Sequence, residues 1–217
     1  GFTGQHFTAA AQQVGYEVLP LMADLTDTVA LAAEAAHAAP DVVVHLAGIS
    51  AVTHADEEAF YRVNLFGTLN LLKALQALPK KPTRVLLASS ANVYGNVPTS
   101  PTDETSCPAP VNHYAMSKLA MEHMSATFAE QLPLVIVRPF NYTGPGHDER
   151  FVIPKLVSHF AHRAPAIELG NLAVEREFND VRTICETYLR LLKLSEPGQI
   201  YNVCSGRPVS LQTVIDE

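Results

Sequence analysis

The 217-residue sequence predicts an α/β fold, a doubly wound parallel sheet with helices on both faces. Two observations carry this reading. Apolar runs rich in Val, Ile and Leu recur without alternation, as strands buried on both faces require. Between them lie segments of helical period, so that strand and helix alternate through most of the chain.

The elements follow in order. "GQHFTAAAQQVG" reads as a helix, and "YEVLPLM" (16–22) as the first strand. "TVALAAEAAHAA" is helical, "DVVVHLAG" (41–48) a buried strand, and "EEAFYRVNLFGTLNLLKALQAL" a long helix. "RVLLASS" (84–90) is the next strand, followed by "AMSKLAMEHMSATFAEQ" as a helix and "LPLVIVRPF" (132–140) as a strand. "VRTICETYLRLLKL" is helical and "GQIYNVCSG" (198–206) closes the set of strands. Proline-rich stretches at 96–110 and 138–154 are read as loops inside one compact unit, because core segments follow each closely. In an open α/β sheet such loops sit at the carboxyl ends of strands, where ligands bind. The chain opens in mid-motif at "GFTG" and stops in an incipient helix, "LQTVIDE", so it reads as a fragment truncated at both ends.

Composition narrows the function. The hydrophobic fraction of 47% suits a globular core, and a net charge of -7 disfavours a surface built for nucleic acid or anionic membrane. Cys107, Cys185 and Cys204 are an odd set without CxxC spacing, which points to a reducing compartment and to no metal site. No apolar run has the length of a membrane span, so a cytoplasmic location is expected.

Several residues could carry chemistry. Gly1 and Gly4 precede a helical pattern at the spacing of a phosphate-binding glycine turn, or of an ordinary helix start. Asp24 could face a ligand or cap a helix. Leu46, Ala47 and Gly48 end a buried strand in a platform nearly free of side chains, which also describes a plain glycine turn. Ser89 and Ser90 end the next strand as candidate hydroxyls or turn formers. Tyr114 and Lys118 lie four residues apart and share a helix face, either as a surface pair or as a catalytic one. Using a phenol of ordinary pKa near 10 at neutral pH requires a shift of up to about 3 units, or about 4 kcal/mol. An ammonium at about 4 Å in an effective dielectric of about 20 contributes about that much. Lys118 is therefore expected to lower the Tyr114 pKa.

Taken together, "GFTG", "DL" (24–25), "HLAG" (45–48), "VNLFGTLNLLKA" (63–74), "SSANVYG" (89–95), "YAMSK" (114–118), "RPFNYTGPG" (138–146) and "REF" (176–178) resemble the extended short-chain dehydrogenase/reductases. This is the NAD-dependent epimerase/dehydratase group, which acts on nucleotide sugars. The resemblance implies a Rossmann-like dinucleotide-binding region over 1–139 lacking its first strand. Over 140–217 it implies a mixed region that returns to the sheet and contributes an incomplete substrate-binding lobe.

It also implies roles. Tyr114 would be the acid/base, with Lys118 lowering its pKa and holding the nicotinamide ribose, and Ser90 would orient the substrate carbonyl. Gly1 and Gly4 would approach the pyrophosphate, Asp24 and Leu25 the adenine, and Leu46, Ala47 and Gly48 the dinucleotide. Asn141 would meet the sugar nucleotide, and Arg176 would pair with its diphosphate. The cofactor would be NADP or NAD, since "LPLMADL" offers neither a ribose-binding acid nor an arginine for a 2'-phosphate. A homodimer through two long helices is expected.

Among subgroups, the late segments resemble the GDP-4-keto-6-deoxymannose reductases, although those tend to carry acids where Asn92 and Thr183 stand here. Dehydratases of the group place a glutamate at the position of Asn92, and an amide is no base at neutral pH. The expected activity is reduction of a nucleotide-linked 4-keto-6-deoxy sugar, of the type that makes GDP-rhamnose. The alternatives are an epimerase of the UDP-glucose 4-epimerase type, a 4,6-dehydratase, and a non-catalytic dinucleotide-binding module.

Overall fold

A computed structural model describes residues 1–50, 54–96 and 101–217. The proline-rich stretch expected at 96–110 thus includes four positions, 97–100, that lie outside the described residues.

The chain opens with helix α1 (Phe2–Gln13), and α2 follows at Thr28–Ala38. Asp27 caps α2, its carboxylate accepting from the N–H groups of Val29 and Ala30 at 3.1 and 3.0 Å. Strand β1 is Val42–His45. The long helix expected over 57–78 is present in three phases: α3 (Glu57–Ala59), a π-helical stretch (Phe60–Gly67) and α4 (Thr68–Ala77). Strand β2 (Arg84–Ala88) runs into a 3-10 turn, Ala91–Tyr94, and α5 spans His113–Ala126. Asn112 caps α5 by accepting from Ala115 N–H at 2.9 Å. Strands β3 (Leu134–Pro139) and β4 (Tyr142–Thr143) precede α6 (Val152–Ala161). Then come β5 (Glu175–Arg176), β6 (Asn179–Asp180), α7 (Val181–Leu194), β7 (Ile200–Val203), β8 (Val209–Ser210) and α8 (Leu211–Asp216).

The main sheet has the order β1-β2-β3-β7 and every pairing is parallel. Side chains alternate across it into two cores. Val85, Leu87, Leu134 and Ile136 meet Leu31 of α2, Leu71, Leu72 and Leu75 of α4, and Met121 of α5. On the other face Leu86, Val137 and Val203 meet Phe7 and Ala11 of α1 and Ile184, Cys185, Tyr188 and Leu189 of α7. A strand read on both faces by helices has no polar side to display, which is why these runs do not alternate. Two small pairs, β4–β6 and β5–β8, stand apart from the main sheet.

The strand expected over 16–22 is absent. A strand exists only where a neighbour completes its ladder, and Tyr16–Met22 have no such partner among the described residues. The stretch expected as loop over 138–154 ends inside helix α6, whose first three residues it includes: Pro154 falls in the first turn, where a missing N–H costs nothing.

One glycine has a strict requirement. Gly95 has φ of 67°, and a Cβ there would lie 1.9 Å from the Ala109 carbonyl oxygen. The bare backbone lets Ala109 N–H reach the Val93 carbonyl at 3.0 Å, pinning the chain that leads toward α5.

Candidate active site

Because all four strands are parallel, their carboxyl ends share one edge, and Gly48, Ser90, Asn141 and Cys204 follow them there. After β1, Ala47 and Gly48 are exposed while Leu46 is half-buried. A Cβ on Gly48 would stand 2.8 Å from Asn64 Oδ1 and 3.4 Å from Lys118 Nζ. Glycine is needed for the Asn64 amide to press against the strand end, whereas Lys118 would be at ordinary contact distance.

Asn64 lies in the π-helical stretch and is 1% exposed. Its Oδ1 accepts from Ile49 N–H at 2.8 Å, and its Nδ2 donates to the Ile49 carbonyl and to Ser117 Oγ, both at 3.1 Å. Ser117 belongs to α5, so one amide ties the end of β1 to the helix that carries Tyr114 and Lys118. Sequence reasoning passed over it. The available signal was an amide within the apolar face of "VNLFGT".

Tyr114 and Lys118 are both buried on α5, one turn apart. Lys118 Nζ donates to the Ala88 carbonyl at the end of β2, at 2.8 Å. Burial lowers its pKa to about 8, against the pull of the Glu122 carboxylate. Burial also pushes the Tyr114 phenol up to about 12; the Ser90 hydroxyl, which faces it, acts in the opposite sense. The expectation that Lys118 lowers the Tyr114 pKa is therefore not met: desolvation dominates at the phenol and outweighs the Ser90 hydrogen bond, the contact that acts in the lowering sense there. Tyr114 is held in its proton-donating form.

Ser89 and Ser90 diverge. Ser90 Oγ accepts from Asn92 N–H at 3.1 Å and faces Tyr114. The Ser89 hydroxyl turns the other way and donates to Glu122. Asn92 is exposed. Nearby His45 is fully buried, its Nε2 paired with Thr68 Oγ1 at 2.9 Å, and burial, followed by the Lys118 charge, lowers its pKa to about 3.

The residues present fit a dinucleotide. Gly1 is the N-cap of α1 and offers no side-chain cap, so the first-turn N–H groups have no capping side chain and suit an anion such as a pyrophosphate. A Cβ on Gly4 would meet open space, so nothing crowds that turn. Asp24 is exposed and accepts from Thr26 N–H and Oγ1 at 2.8 and 2.7 Å. The Leu25 side chain is part of the core and packs on Gly67, so it is not free to lie against an adenine.

Farther along, the exposed Asn141 uses its carbonyl to accept from Asn179 N and Nδ2 at 2.9 and 3.1 Å. Arg176 is exposed on β5, and its Nη1 donates to the Glu175 carbonyl at 2.8 Å. Neither is brought into contact with Tyr114. Glu177 organises the neighbouring turn, accepting from the N–H groups of Ser205 and Gly206 at 2.8 and 2.9 Å.

The sequence model of the NAD dependent epimerase/dehydratase family matches residues 1–204. A GDP-6-deoxy-D-mannose reductase of Pseudomonas aeruginosa is 38% identical over 231 aligned positions, which take in 100% of this chain and 75% of that protein. A GDP-6-deoxy-D-talose 4-dehydrogenase of Aggregatibacter actinomycetemcomitans is 37% identical over 183, covering 84% of this chain and 62% of that one. The solved structure of RMD from Pseudomonas aeruginosa complexed with NADPH superposes with a TM-score of 0.90 at 35% identity, over 100% of this chain and 78% of that one.

Proposed function

This chain belongs to the NAD dependent epimerase/dehydratase family, and on that premise we propose that it reduces the C4 carbonyl of a nucleotide-linked 4-keto-6-deoxy sugar, of the GDP-4-keto-6-deoxymannose type, to the alcohol. The observation that carries this reading is the buried Tyr114–Lys118 pair on α5 with the Ser90 hydroxyl facing the phenol at the strand ends. The relatives named for GDP-6-deoxy sugars and the NADPH-bound neighbour support the substrate class and cofactor.

A reduced nicotinamide, NADPH or NADH, supplies the hydride when bound. The chain's own residues do the rest. Tyr114, kept protonated by burial, gives its proton to the sugar O4 as that oxygen gains charge. Ser90 donates a hydrogen bond to the same oxygen. Lys118 holds a positive charge beside the centre and reaches the nicotinamide ribose. Gly1 and Gly4 admit the pyrophosphate; Asp24, with Leu46, Ala47 and Gly48, borders the rest of the dinucleotide. Asn141 and Arg176 belong to the sugar-nucleotide side, where a guanidinium suits a diphosphate. One ketone, one reduced cofactor and one proton become one alcohol and one oxidised cofactor. The amide of Asn92 supports reduction over loss of water, because it cannot remove a proton from the sugar.

This reading includes a homodimer and a cytoplasmic location. Phe66 and Met116, 55% and 40% exposed, support a paired face across the π-helical stretch and α5, which Tyr61 and His113 join by a hydrogen bond of 2.9 Å. Free Cys107, Cys185 and Cys204 support a reducing compartment. Among the described residues no helix is long and apolar enough to cross a membrane.

The test is to incubate the full-length protein with NADPH or NADH and a panel of 4-keto sugar nucleotides, following reduced-cofactor absorbance and the sugar product. Stoichiometric loss of absorbance with formation of the 6-deoxy alcohol is expected. Interconversion of sugars with no net absorbance change would replace the reductase reading by epimerisation.

A further inference from the structure

One buried ion pair is left over from the chemistry just described. Glu122 lies on α5 one turn beyond Lys118, and Arg138 is on β3; both side chains are 4% exposed. The contact is bidentate, with Arg138 Nε to Glu122 Oε1 at 3.0 Å and Nη2 to Oε2 at 2.6 Å. Glu122 Oε1 also accepts from the Ser89 hydroxyl, the immediate neighbour of Ser90. The remaining guanidinium corner, Nη1, donates to Tyr94 Oη at 2.9 Å, and Tyr94 donates to Asn202 Oδ1 at 2.8 Å. Asn202 N–H in turn donates to the Glu104 carboxylate at 2.6 Å. The chain of contacts joins the end of β2, α5, β3 and β7.

A buried ion pair is a poor source of net stability, because desolvation of the two charges offsets their attraction. Its position suggests another use. We propose that the Glu122–Arg138 pair is a positioning element of the reaction centre, which keeps Lys118 cationic and holds the Ser89–Ser90 segment so that the Ser90 hydroxyl faces Tyr114. This rests on the reductase reading. The groups around Lys118 are few: the Ala88 carbonyl of β2, neutral His45 of β1, the Asn64 amide beside Gly48, and Glu122 of its own helix, with Arg138 of β3 behind that carboxylate. Glu122 is the anion among them, and it opposes the loss of charge that burial favours at Lys118. Arg138 and Ser89 aim that carboxylate and satisfy its oxygens.

The test uses the full-length protein with 13Cε-labelled lysine, following the Lys118 resonance against pH by NMR, with Lys118→Met as the assignment control. In Glu122→Gln the Lys118 midpoint should fall by at least about 1 unit from the parent value, since a carboxylate is lost and Arg138 keeps its charge. Turnover at neutral pH should fall by at least about tenfold, while KM for the nicotinamide cofactor changes by less than about threefold. Should Glu122→Gln not fold, Glu122→Met/Arg138→Met removes both charges at similar volume and carries the turnover and cofactor-KM measurements, since with Arg138 also neutral no fall of the Lys118 midpoint is expected. A folded Glu122→Gln variant whose Lys118 midpoint or whose kcat equals the parent's, or a folded double variant whose kcat does, overturns the proposal. If the parent turns over no 4-keto sugar nucleotide, the reductase reading has failed on its own account, and the Lys118 midpoint alone decides this one.

Discussion

Asn64 holds Ile49 by both sides of its peptide group, accepting from the N–H at 2.8 Å and donating to the carbonyl at 3.1 Å. Together with the bond to Ser117, this leaves three buried or half-buried groups dependent on one amide. Asn64→Leu, similar in volume but without polar atoms, should therefore cost on the order of 3 kcal/mol of stability. For a chain of this size that is a fall in Tm of roughly 6–12 °C, readable by calorimetry. A Tm equal to the parent's would mean that the clamp is not formed in solution.

Tyr114→Phe removes the proton donor but none of the packing, so turnover should fall by about 10²–10⁴-fold. Cofactor affinity, measured by fluorescence titration, should stay nearly unchanged. Full activity in this variant would remove Tyr114 from the chemistry. Lys118→Met, by contrast, should weaken cofactor binding and turnover together.

The pH profile separates the two residues. Lys118 loses its proton near pH 8 and Tyr114 only near 12, so the fall of kcat on the alkaline side should have its midpoint near 8 and belong to the lysine. A midpoint near 10, at the ordinary phenol value, would contradict this assignment. Oxidation of the alcohol, which needs the phenolate, should be slow at neutral pH.

Acid stability turns on His45. Its pKa is depressed from 6.5 to about 3 in the folded chain, so the unfolded chain takes up the proton first as pH falls. The stability that neutral His45 contributes is fully present above 6.5 and is lost progressively from there down to about 3. His45→Gln, which keeps a hydrogen-bonding group near Thr68 but cannot be protonated, should flatten that part of the stability curve measured by urea unfolding. An unchanged slope would mean that His45 takes up its proton as readily in the fold as in the unfolded chain.

Gly95→Ala should be strongly destabilising, because the new Cβ would meet the Ala109 carbonyl oxygen at 1.9 Å in a backbone conformation, φ 67° and ψ -138°, that side-chain-bearing residues rarely adopt. The conformational part alone costs about 1–3 kcal/mol, before the clash is relieved. Thermal melting of the variant checks it.

The strands of the main sheet were legible because burial on both faces leaves a plain signature in Val, Ile and Leu. The run at 16–22 carries much the same signature without being a strand, since composition reports burial or β-propensity and says nothing of whether a ladder partner is beside it. Tyr114, Lys118 and Ser90 could be found because the first two are one turn apart and the third ends a strand. Asn64 left only the faint signal of an amide on an apolar face, and Glu122 and Arg138 left none, since each acquires its meaning from a partner that only the folded sheet brings near. The charge of Lys118 and the protonation of Tyr114 depend on desolvation, which a spacing argument does not contain. That is why a lysine one turn away did not lower the phenol as expected.

The π-helical stretch Phe60–Gly67 also sets how the gene for this chain can vary in length. The helix before and after it must present different faces: Asn64 toward the strand end, and Leu71, Leu72 and Leu75 into the core. Removing one residue from this stretch would turn everything downstream by about 100°, taking those leucines off the sheet. Insertions and deletions tolerated in surface loops should therefore be selected against between residues 60 and 67, even where every substitution there is conservative.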